Sequence, residues 1–219
     1  MLYTKIKTCS KRPGFAQKSI NTIGLSEENI WYDLRELEPQ YKNKSYSWNT
    51  AKGWESFKKT NCTHCMFMDD DLDFCNNFLE ICEKIVSVHP NAVIGLFPYY
   101  YRDKRVIQNE SPYWEAGIVS GACIIIPKKY LNNICEFMFS RCNKILQDDL
   151  LIYMWCLYNH IPMITTIPSL IQHIGDQSLY NPTAPIRRTQ YFEKNPIADW
   201  SNKKINKWEM KKNNYDYIK

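Results

Sequence analysis

Short apolar runs alternate with longer amphipathic stretches along the first 97 residues, and this alternation limits the possible folds more than any other feature. Four apolar runs predict β-strands at 2–8, 30–34, 65–68 and 92–97. The stretches between and after them predict α-helices within 11–25, at 50–59 and at 73–88. Strands that alternate with helices form a parallel sheet covered by helices on both faces. We therefore predict an α/β fold with a mostly parallel central sheet flanked by helices.

The second half of the chain mixes the same kinds of segment in a less regular order. Its apolar runs predict strands within 118–127 and at 162–167. Two further helices are predicted at 128–143 and 148–159, and a polar turn with strand-like flanks at 169–175.

One domain is expected, because the chain has no internal repeat and only seven glycines, and its 219 residues suffice for one sizeable core. We place this domain at 1–176, with halves at about 1–97 and 98–176. Residues 177–219 are rich in Pro, Asn and Lys and have weak periodicity, so we expect an irregular C-terminal extension packed on the same domain.

The apolar content and the cysteines indicate an intracellular protein. No apolar run reaches the roughly 20 residues of a membrane-spanning helix, and the first residues lack the apolar segment of a secretory signal. The nine cysteines are an odd number and lie mainly among apolar neighbours, which predicts buried free thiols rather than disulfides. We expect a cytoplasmic location.

The net charge of +5 is modest, and part of it lies in a basic C-terminal segment. Its lysines suit contact with phosphates or an acidic membrane surface, or they form a solvated chain end. The lysines are interleaved with aromatic residues that can stack on bases, which keeps a nucleic-acid-binding module as an alternative function. The aromatic residues concerned are Trp200, Trp208, Tyr215 and Tyr217.

Three adjacent carboxylates, Asp69, Asp70 and Asp71, directly follow the strand predicted at 65–68. In an open α/β sheet, ligands bind beyond the carboxyl ends of the strands. Adjacent carboxylates repel one another, and such a cluster is suited to Mg²⁺ or Mn²⁺ bound together with substrate phosphates. The alternative is that they cap the helix that follows, where Asp73 is expected to be a first-turn acid.

Two later features extend the same hypothesis. Asp148 and Asp149 begin a predicted apolar helix, either as helix caps or with one of them as a general base for an attacking hydroxyl. His173 lies in a polar turn after a strand, where a neutral imidazole can join carboxylates on a divalent metal or serve a structural role.

Together, these segments resemble the nucleotide-sugar-dependent glycosyltransferases of the GT-A fold, which is Rossmann-like. The resemblance covers about residues 2–176. It depends on an ordered set of motifs. They are TCSKRP at 8–13, Asp33, MFMDDD at 66–71, GIVSGA at 117–122, the pair Asp148-Asp149 and His173.

The resemblance implies a role for each matching residue. Asp69 and Asp71 correspond to the two aspartates of the family's Asp-x-Asp motif, with Asp71 as the direct metal ligand, His173 as a further ligand and Asp69 beside them. Asp69 or Asp70 is expected to hold sugar or ribose hydroxyls. The remaining roles fall on nucleotide-binding Thr8, Arg12 and Asp33, on Gly121 beside the donor sugar, and on Asp148 or Asp149 as the base. Acceptor loops vary freely in this fold, and here we assign the loop at 99–114, with Trp114 at its end, to the acceptor side. Its aromatic residues suit stacking on a sugar ring or a base, or ordinary packing.

The function implied is transfer of a sugar from a nucleoside-diphosphate sugar, usually a UDP-sugar, to an acceptor hydroxyl. Mn²⁺ or Mg²⁺ is the expected cofactor, and inversion is expected if an aspartate acts as base. A glycan, a glycoprotein or a hydroxylated base in DNA is the expected acceptor.

Three alternatives are open from the sequence. Clustered aspartates also hold paired Mg²⁺ ions in nucleotidyl and phosphoryl transferases. Cys62 and Cys65 have the spacing of half a zinc site, although Cys75 and Cys82 do not complete the pattern. Lys52 and Lys58 either contact a diphosphate or face solvent on a helix.

Overall fold

The computed structural model describes residues 1–12, 14–98, 111–145, 147–175 and 188–207. Within these segments, eight strands form a central sheet and two form a separate small sheet. The strands are β1 Leu2–Thr8, β2 Ile30–Tyr32, β3 His64–Asp69, β4 Leu72–Phe74, β5 Val93–Gly95, β6 Tyr113–Glu115, β7 Cys123–Pro127, β8 Met163–Thr166, β9 Ile171–His173 and β10 Ile205–Asn206. The order in the central sheet is β10-β6-β8-β5-β7-β3-β1-β2, and β4 pairs with β9.

Helices cover both faces of the central sheet. They are α1 Phe15–Ile23, α2 Leu34–Leu37, α3 Tyr46–Ser56, α4 Phe78–Val88, α5 Leu131–Arg141 and α6 Asp148–Tyr158. Successive side chains of a strand point to opposite faces. Met66 and Met68 of β3 accordingly pack with residues of α1 and α4, whereas Cys65 and Phe67 pack with residues of α3, α5 and α6.

The predicted α/β class with a central sheet between helices is confirmed. Four of the seven neighbouring pairs in the central sheet are parallel, including β1 with both β2 and β3. The antiparallel strand β7 lies between β3 and β5 and carries the apolar run CIIIP, all five residues of which are buried. Parallel β1, β2 and β3 therefore end at the same edge of the sheet.

The predicted helix at 73–88 is wrong in its first five residues. Residues Leu72–Phe74 form β4, which pairs antiparallel with β9, a segment distant in sequence. The helix begins only at Phe78, after Asn77 adopts a left-handed conformation with φ of 56°. Asp73 is therefore no first-turn acid, and its Oδ1 instead pairs with Lys194 Nζ at 2.9 Å.

Other boundaries differ because side chains cap the helices. The helix predicted at 50–59 begins at Tyr46, because the Ser45 hydroxyl accepts a hydrogen bond from Trp48 N. The strand predicted at 30–34 ends at Tyr32, because Asp33 caps α2. The strand β9 lies within the predicted polar turn at 169–175, and the short strands β6 and β10 were not predicted.

The described part of the C-terminal extension contacts the body of the protein. Strand β10 pairs with β6, and Ser169 N donates to Tyr191 O at 2.8 Å. Trp200 is 7% exposed, and its carbonyl accepts a hydrogen bond from Tyr113 Oη. The buried indole of Trp200 is not available to stack on a base, which corrects that part of the nucleic-acid hypothesis. Trp208, Tyr215 and Tyr217 lie outside the described residues.

All nine cysteines are unpaired and eight are buried, as the sequence predicts. Cys62 and Cys65 pack on the α3 face of the sheet, and Cys75 and Cys82 pack on the opposite face. The four thiols therefore do not assemble a zinc site. In the described segments, no helix is long and apolar enough to cross a membrane.

Candidate functional site

The carboxyl ends of β1 and β3 bring the aspartate cluster together with two basic residues. The register of these parallel strands places Lys7 beside Asp69. The chain leaves β3 through Asp70 and Asp71 and leaves β1 through Thr8 toward Arg12. Carboxylates and cations from two strand ends thus lie close together, beyond the carboxyl ends of the strands, where α/β proteins bind ligands.

Asp70 is a buried anchor for the loop after β1. Its Oδ2 accepts a hydrogen bond of 2.6 Å from Thr8 Oγ1, and its Oδ1 accepts one of 3.0 Å from Arg12 Nη1. Its backbone carbonyl accepts a hydrogen bond of 2.8 Å from Ser19 Oγ of α1. Burial raises the pKa of Asp70, against the hydrogen bonds from Thr8 and Arg12, which lower it. The main effect of Asp70 in this structure is to hold Thr8 and Arg12 in place.

Asp71 meets His173 because of the small sheet that follows it. In that sheet Leu72 pairs with His173, and Ile174 N donates to the Asp71 carbonyl at 3.0 Å. The Asp71 Oδ1 atom lies 3.4 Å from His173 Nδ1, and its Oδ2 lies 2.7 Å from Arg12 Nη1. Burial acts to raise the pKa of Asp71, but His173 and Arg12 outweigh it, so the pKa lies below its ordinary value.

Lys7 connects Asp69 to the start of α6. Its Nζ lies 3.0 Å from Asp69 Oδ1 and 3.3 Å from Asp148 Oδ2, and it donates to Gly121 O at 3.3 Å. Burial opposes the charged form of Lys7, but Asp148 and Asp69 outweigh burial, so the pKa of Lys7 is raised well above its ordinary value. Burial raises the pKa of Asp69 to about 6, although Lys7 acts to lower it.

Asp148 caps the start of α6 and also contacts the cluster through Lys7. Its Oδ1 accepts a hydrogen bond from Asp149 N at 2.9 Å, as a residue in the first turn of a helix does, while its Oδ2 faces Lys7. Gly121 lies against it, since a Cβ there would be 3.1 Å from Asp148 Oδ1. Asp149 Oδ1 accepts from Leu150 N at 2.8 Å and so caps its own helix. Asp148 is therefore the member of the pair that joins the cluster.

Two predicted site residues lie apart from the cluster. The carboxylate of Asp33 pairs with Arg35 and caps α2. Its backbone N donates a hydrogen bond to Thr8 O, which keeps Asp33 near the carboxyl end of β1. Trp114 is buried in β6, four places from β3 in the sheet order. Of the acceptor loop predicted before it, residues 99–110 lie outside the described residues.

Lys52 and Lys58 both pair with Glu55, in agreement with a solvated helix face.

Three residues of the cluster were missed by the sequence analysis. Lys7 lies in a strand whose alternation suggests a solvent-facing side chain, and Ser19 looks like an ordinary polar residue of α1. Gly175 packs so closely that a Cβ there would be 2.4 Å from Asp71 Oδ2. Only the pattern GDQS after His173 offered a signal for Gly175, as a small residue following the proposed ligand.

The residues present fit a single divalent cation. The side chains of Asp69, Asp70, Asp71 and Asp148 carry four formal negative charges against the positive charges of Lys7 and Arg12, which leaves a formal charge of −2. Among the described residues, no donor is aligned for a hydrogen bond to the buried Asp71 Oδ1, which faces His173 Nδ1. The spacing of 3.4 Å is close to the roughly 3 Å between neighbouring ligands of one octahedral Mg²⁺ ion.

The described residues contain no group of three or more His, Cys, Asp or Glu side chains arranged around one metal position. Asp71 and His173 are the two side chains that could hold one ion, and Asp69 lies near them. Mg²⁺ characteristically takes one or two carboxylates together with water and substrate phosphates. Two protein ligands are therefore enough for an ion of this kind only where water and a phosphorylated ligand supply the others.

No protein-family model matches the chain, and no curated protein matches it. Among solved structures, it is similar to an active-site mutant of LgtC, a GT-A glycosyltransferase, with a TM-score of 0.46 and 10% identity over 84% of this chain and 91% of that one. It is also similar to the inositol-1-phosphate CTP transferase from T. maritima, with a TM-score of 0.36 and 8% identity over 77% of this chain and 70% of that one.

Proposed function

We propose that this protein is a metal-dependent glycosyltransferase that moves a sugar from a nucleoside-diphosphate sugar, with a UDP-sugar as the first candidate, to an acceptor hydroxyl. The observation that carries the proposal is the pairing of β4 with β9. This pairing places His173 against the Asp71 carboxylate at the end of β3, beside Arg12. One acid, one imidazole and one guanidinium at a sheet edge match the needs of a metal bound to a diphosphate.

Asp71 and His173 are the residues that would hold Mn²⁺ or Mg²⁺, with Asp69 beside them. A divalent cation at this position supplies Lewis-acid stabilisation of the charge on the leaving diphosphate. Arg12 adds a fixed positive charge next to Asp71, suited to bind a phosphate oxygen. Thr8 and Asp33, at the ends of β1 and β2, are the proposed contacts for the nucleoside. Gly121, which packs against Asp148, is the proposed point where the backbone passes close to the donor sugar.

Asp148 is the proposed general base. Its carboxylate is fixed at the start of α6 and is connected to the donor side of the site through Lys7. An acceptor hydroxyl within hydrogen-bond reach of Asp148 gives up its proton as its oxygen attacks the anomeric carbon. Attack from the face opposite the leaving diphosphate inverts the configuration. The acceptor is proposed to be a glycan, a glycoprotein or a hydroxylated DNA base.

The alternative enzyme class is a nucleotidyl or phosphoryl transferase with two Mg²⁺ ions. Such sites hold their ions about 3.5–4 Å apart between bridging carboxylates. Here Lys7 Nζ lies 3.0 Å from Asp69 and 3.3 Å from Asp148, in the position that a second ion bridging these two carboxylates would need. The lysine therefore counts against a second ion between these two carboxylates, and so against the two-ion alternative.

The test is a donor-consumption assay with a panel of nucleoside-diphosphate sugars and nucleoside triphosphates, with and without Mn²⁺. We expect release of a nucleoside diphosphate from at least one sugar donor, dependent on metal and lost in Asp71→Asn. Asp73→Asn is the matched control, because Asp73 lies two residues away and pairs with Lys194 outside the cluster. Consumption of a triphosphate alone would establish the alternative, with release of pyrophosphate for nucleotidyl transfer or of a nucleoside diphosphate for phosphoryl transfer.

A further inference from the structure

Lys7 occupies a position that the roles proposed above do not explain. Its side chain is 10% exposed, and its Nζ reaches Asp69, Asp148 and the Gly121 carbonyl. The Nζ also lies 5.3 Å from the centre of the Tyr46 ring. One buried cation thus contacts the end of β3, the start of α6 and the loop before β7. These three segments carry the donor-side carboxylate, the proposed base and the glycine beside the donor sugar.

A neighbouring lysine shows that this placement is particular to Lys7. Lys5 lies two residues earlier in β1 and therefore points to the same face of the sheet. Its Nζ donates to Ser56 Oγ at 2.6 Å and lies over the Trp31 ring. Lys5 pairs with no carboxylate among the described residues. Both lysines pack under α3, but only Lys7 joins the carboxylate cluster.

Lys7 holds two carboxylates at a short separation. Because Asp69 and Asp148 both contact the same nitrogen, their facing oxygens lie about 6 Å apart or less, a distance at which like charges inside a protein repel strongly. Asp148 Oδ1 is already fixed by the hydrogen bond from Asp149 N, so Lys7 decides the direction of Oδ2. Without the ammonium group, Oδ2 loses its partner and is repelled by Asp69.

We propose that Lys7 is a positioning residue, which acts through Asp148 by holding the base carboxylate in line with the donor site. This inference rests on the proposed glycosyl transfer and adds a residue to it. Lys7 forms no bond to substrate in this account. Its loss should therefore slow the transfer step while the donor still binds through Asp71, His173 and Arg12.

The test compares Lys7→Met, which keeps the length of the side chain and removes the charge, with Lys7→Arg, which keeps the charge. Lys5→Met is the matched control. We expect Lys7→Met to lower kcat about 10²-fold, as displacement of a catalytic group by about 1 Å does, with the donor KM changed less than about threefold. The kcat of Lys7→Arg should be at least about tenfold higher than that of Lys7→Met. The kcat of Lys5→Met should stay within about threefold of the wild-type value.

A double-mutant cycle with Asp148→Asn identifies the partner through which Lys7 acts. If Lys7 works through Asp148, Lys7→Met in the Asp148→Asn background should cause less than about a threefold further loss of kcat. The free energies of unfolding of the same four proteins, measured with urea, should also be non-additive, since Lys7 and Asp148 are in contact.

Four results would overturn the inference or the coupling on which it depends. If Lys7→Met lowered kcat by the same factor in the wild-type and Asp148→Asn backgrounds, Lys7 would not act through Asp148. If Lys7→Met changed only the donor KM, Lys7 would be assigned to donor binding. A wild-type protein that transfers no sugar from any donor would refute the proposed function together with the role of Lys7 in it. Additive unfolding free energies would refute the coupling of Lys7 to Asp148 separately, whether or not transfer is observed.

Discussion

Replacing Gly175 with alanine directs one methyl group against the proposed metal ligand. A Cβ at this position would lie 2.4 Å from Asp71 Oδ2 and 3.3 Å from Asp71 Cγ. Because ordinary contact begins near 3.4 Å, the Oδ2 atom must retreat by about 1 Å. The Asp71 backbone is held by Ile174 N, so the movement falls on the carboxylate and its 2.7 Å contact with Arg12.

The substitution is expected to lower activity without unfolding the protein. Overpacking costs about 1–3 kcal/mol of unfolding free energy. Alanine also lowers the conformational entropy of the unfolded chain relative to glycine, which offsets about 0.4–1 kcal/mol of this cost. The net loss of stability is therefore at most about 2–3 kcal/mol. Displacing a catalytic group by about 1 Å costs about 10²-fold in rate. Gly175→Ala should therefore remain folded at 25 °C while its kcat falls about 100-fold.

The assay measures the sugar-transfer rate and the Mn²⁺-dependent thermal shift of Gly175→Ala in the presence of the donor. Gly95→Ala is the matched control, because a Cβ there would be 3.1 Å from Val119 Cβ, in the core and away from the carboxylates. We expect the control to lose stability but to keep its rate and metal response. Wild-type rate and metal response in Gly175→Ala would refute the placement of Asp71 as the metal ligand.

Trp200→Phe should lower the free energy of unfolding by about 1–3 kcal/mol in a urea titration, since Trp200 is buried, and should leave any DNA binding unchanged in a gel-shift assay. Burial lowers the pKa of both His64 and His89. Below about pH 6.5 the unfolded chain therefore binds more protons than the folded one, and the free energy of unfolding decreases as the pH is lowered. The wild type should lose more stability between pH 7.5 and 5.5 than His64→Asn, and an equal loss would contradict the burial of His64. Titration with a thiol reagent should modify only Cys9 rapidly in the folded protein and all nine thiols after denaturation; rapid modification of several folded-state thiols would contradict the packing.

The core of the fold was predictable from the sequence because its strands are strongly apolar. The run CMFM before the aspartates predicts β3, and the helix that starts at Asp148 is predicted within one residue of its observed end. Length separates the two segments, because a run of four apolar residues fits a buried strand and an apolar stretch of about ten residues fits a helix. The position of the aspartates at a strand end followed directly.

The parts that complete the site were not predictable from local pattern. Strand β4 has only three residues, and it forms because it pairs with β9 about a hundred residues later in the sequence. Local pattern does not reveal such a pairing, so the helix predicted at 73–88 began too early. That same pairing positions His173. Lys7 was missed because a charged residue in a strand usually faces solvent, whereas α3 covers this face of β1. Trp114 was assigned to the acceptor side from its loop, but the structure places it in β6.

The most direct test of the central claim is a thermal-shift titration of nucleoside-diphosphate sugars with and without Mn²⁺ on three proteins, the wild type, Asp71→Asn and the control Asp73→Asn. A ligand at 100 times its Kd stabilises the folded state by about 2.7 kcal/mol, which raises Tm by about 5–10 °C for a chain of this size. We expect a shift of this order in the wild type and in Asp73→Asn that requires both metal and nucleotide sugar, and we expect its loss in Asp71→Asn. A shift that persists in Asp71→Asn, or no shift with any nucleotide sugar, would contradict it.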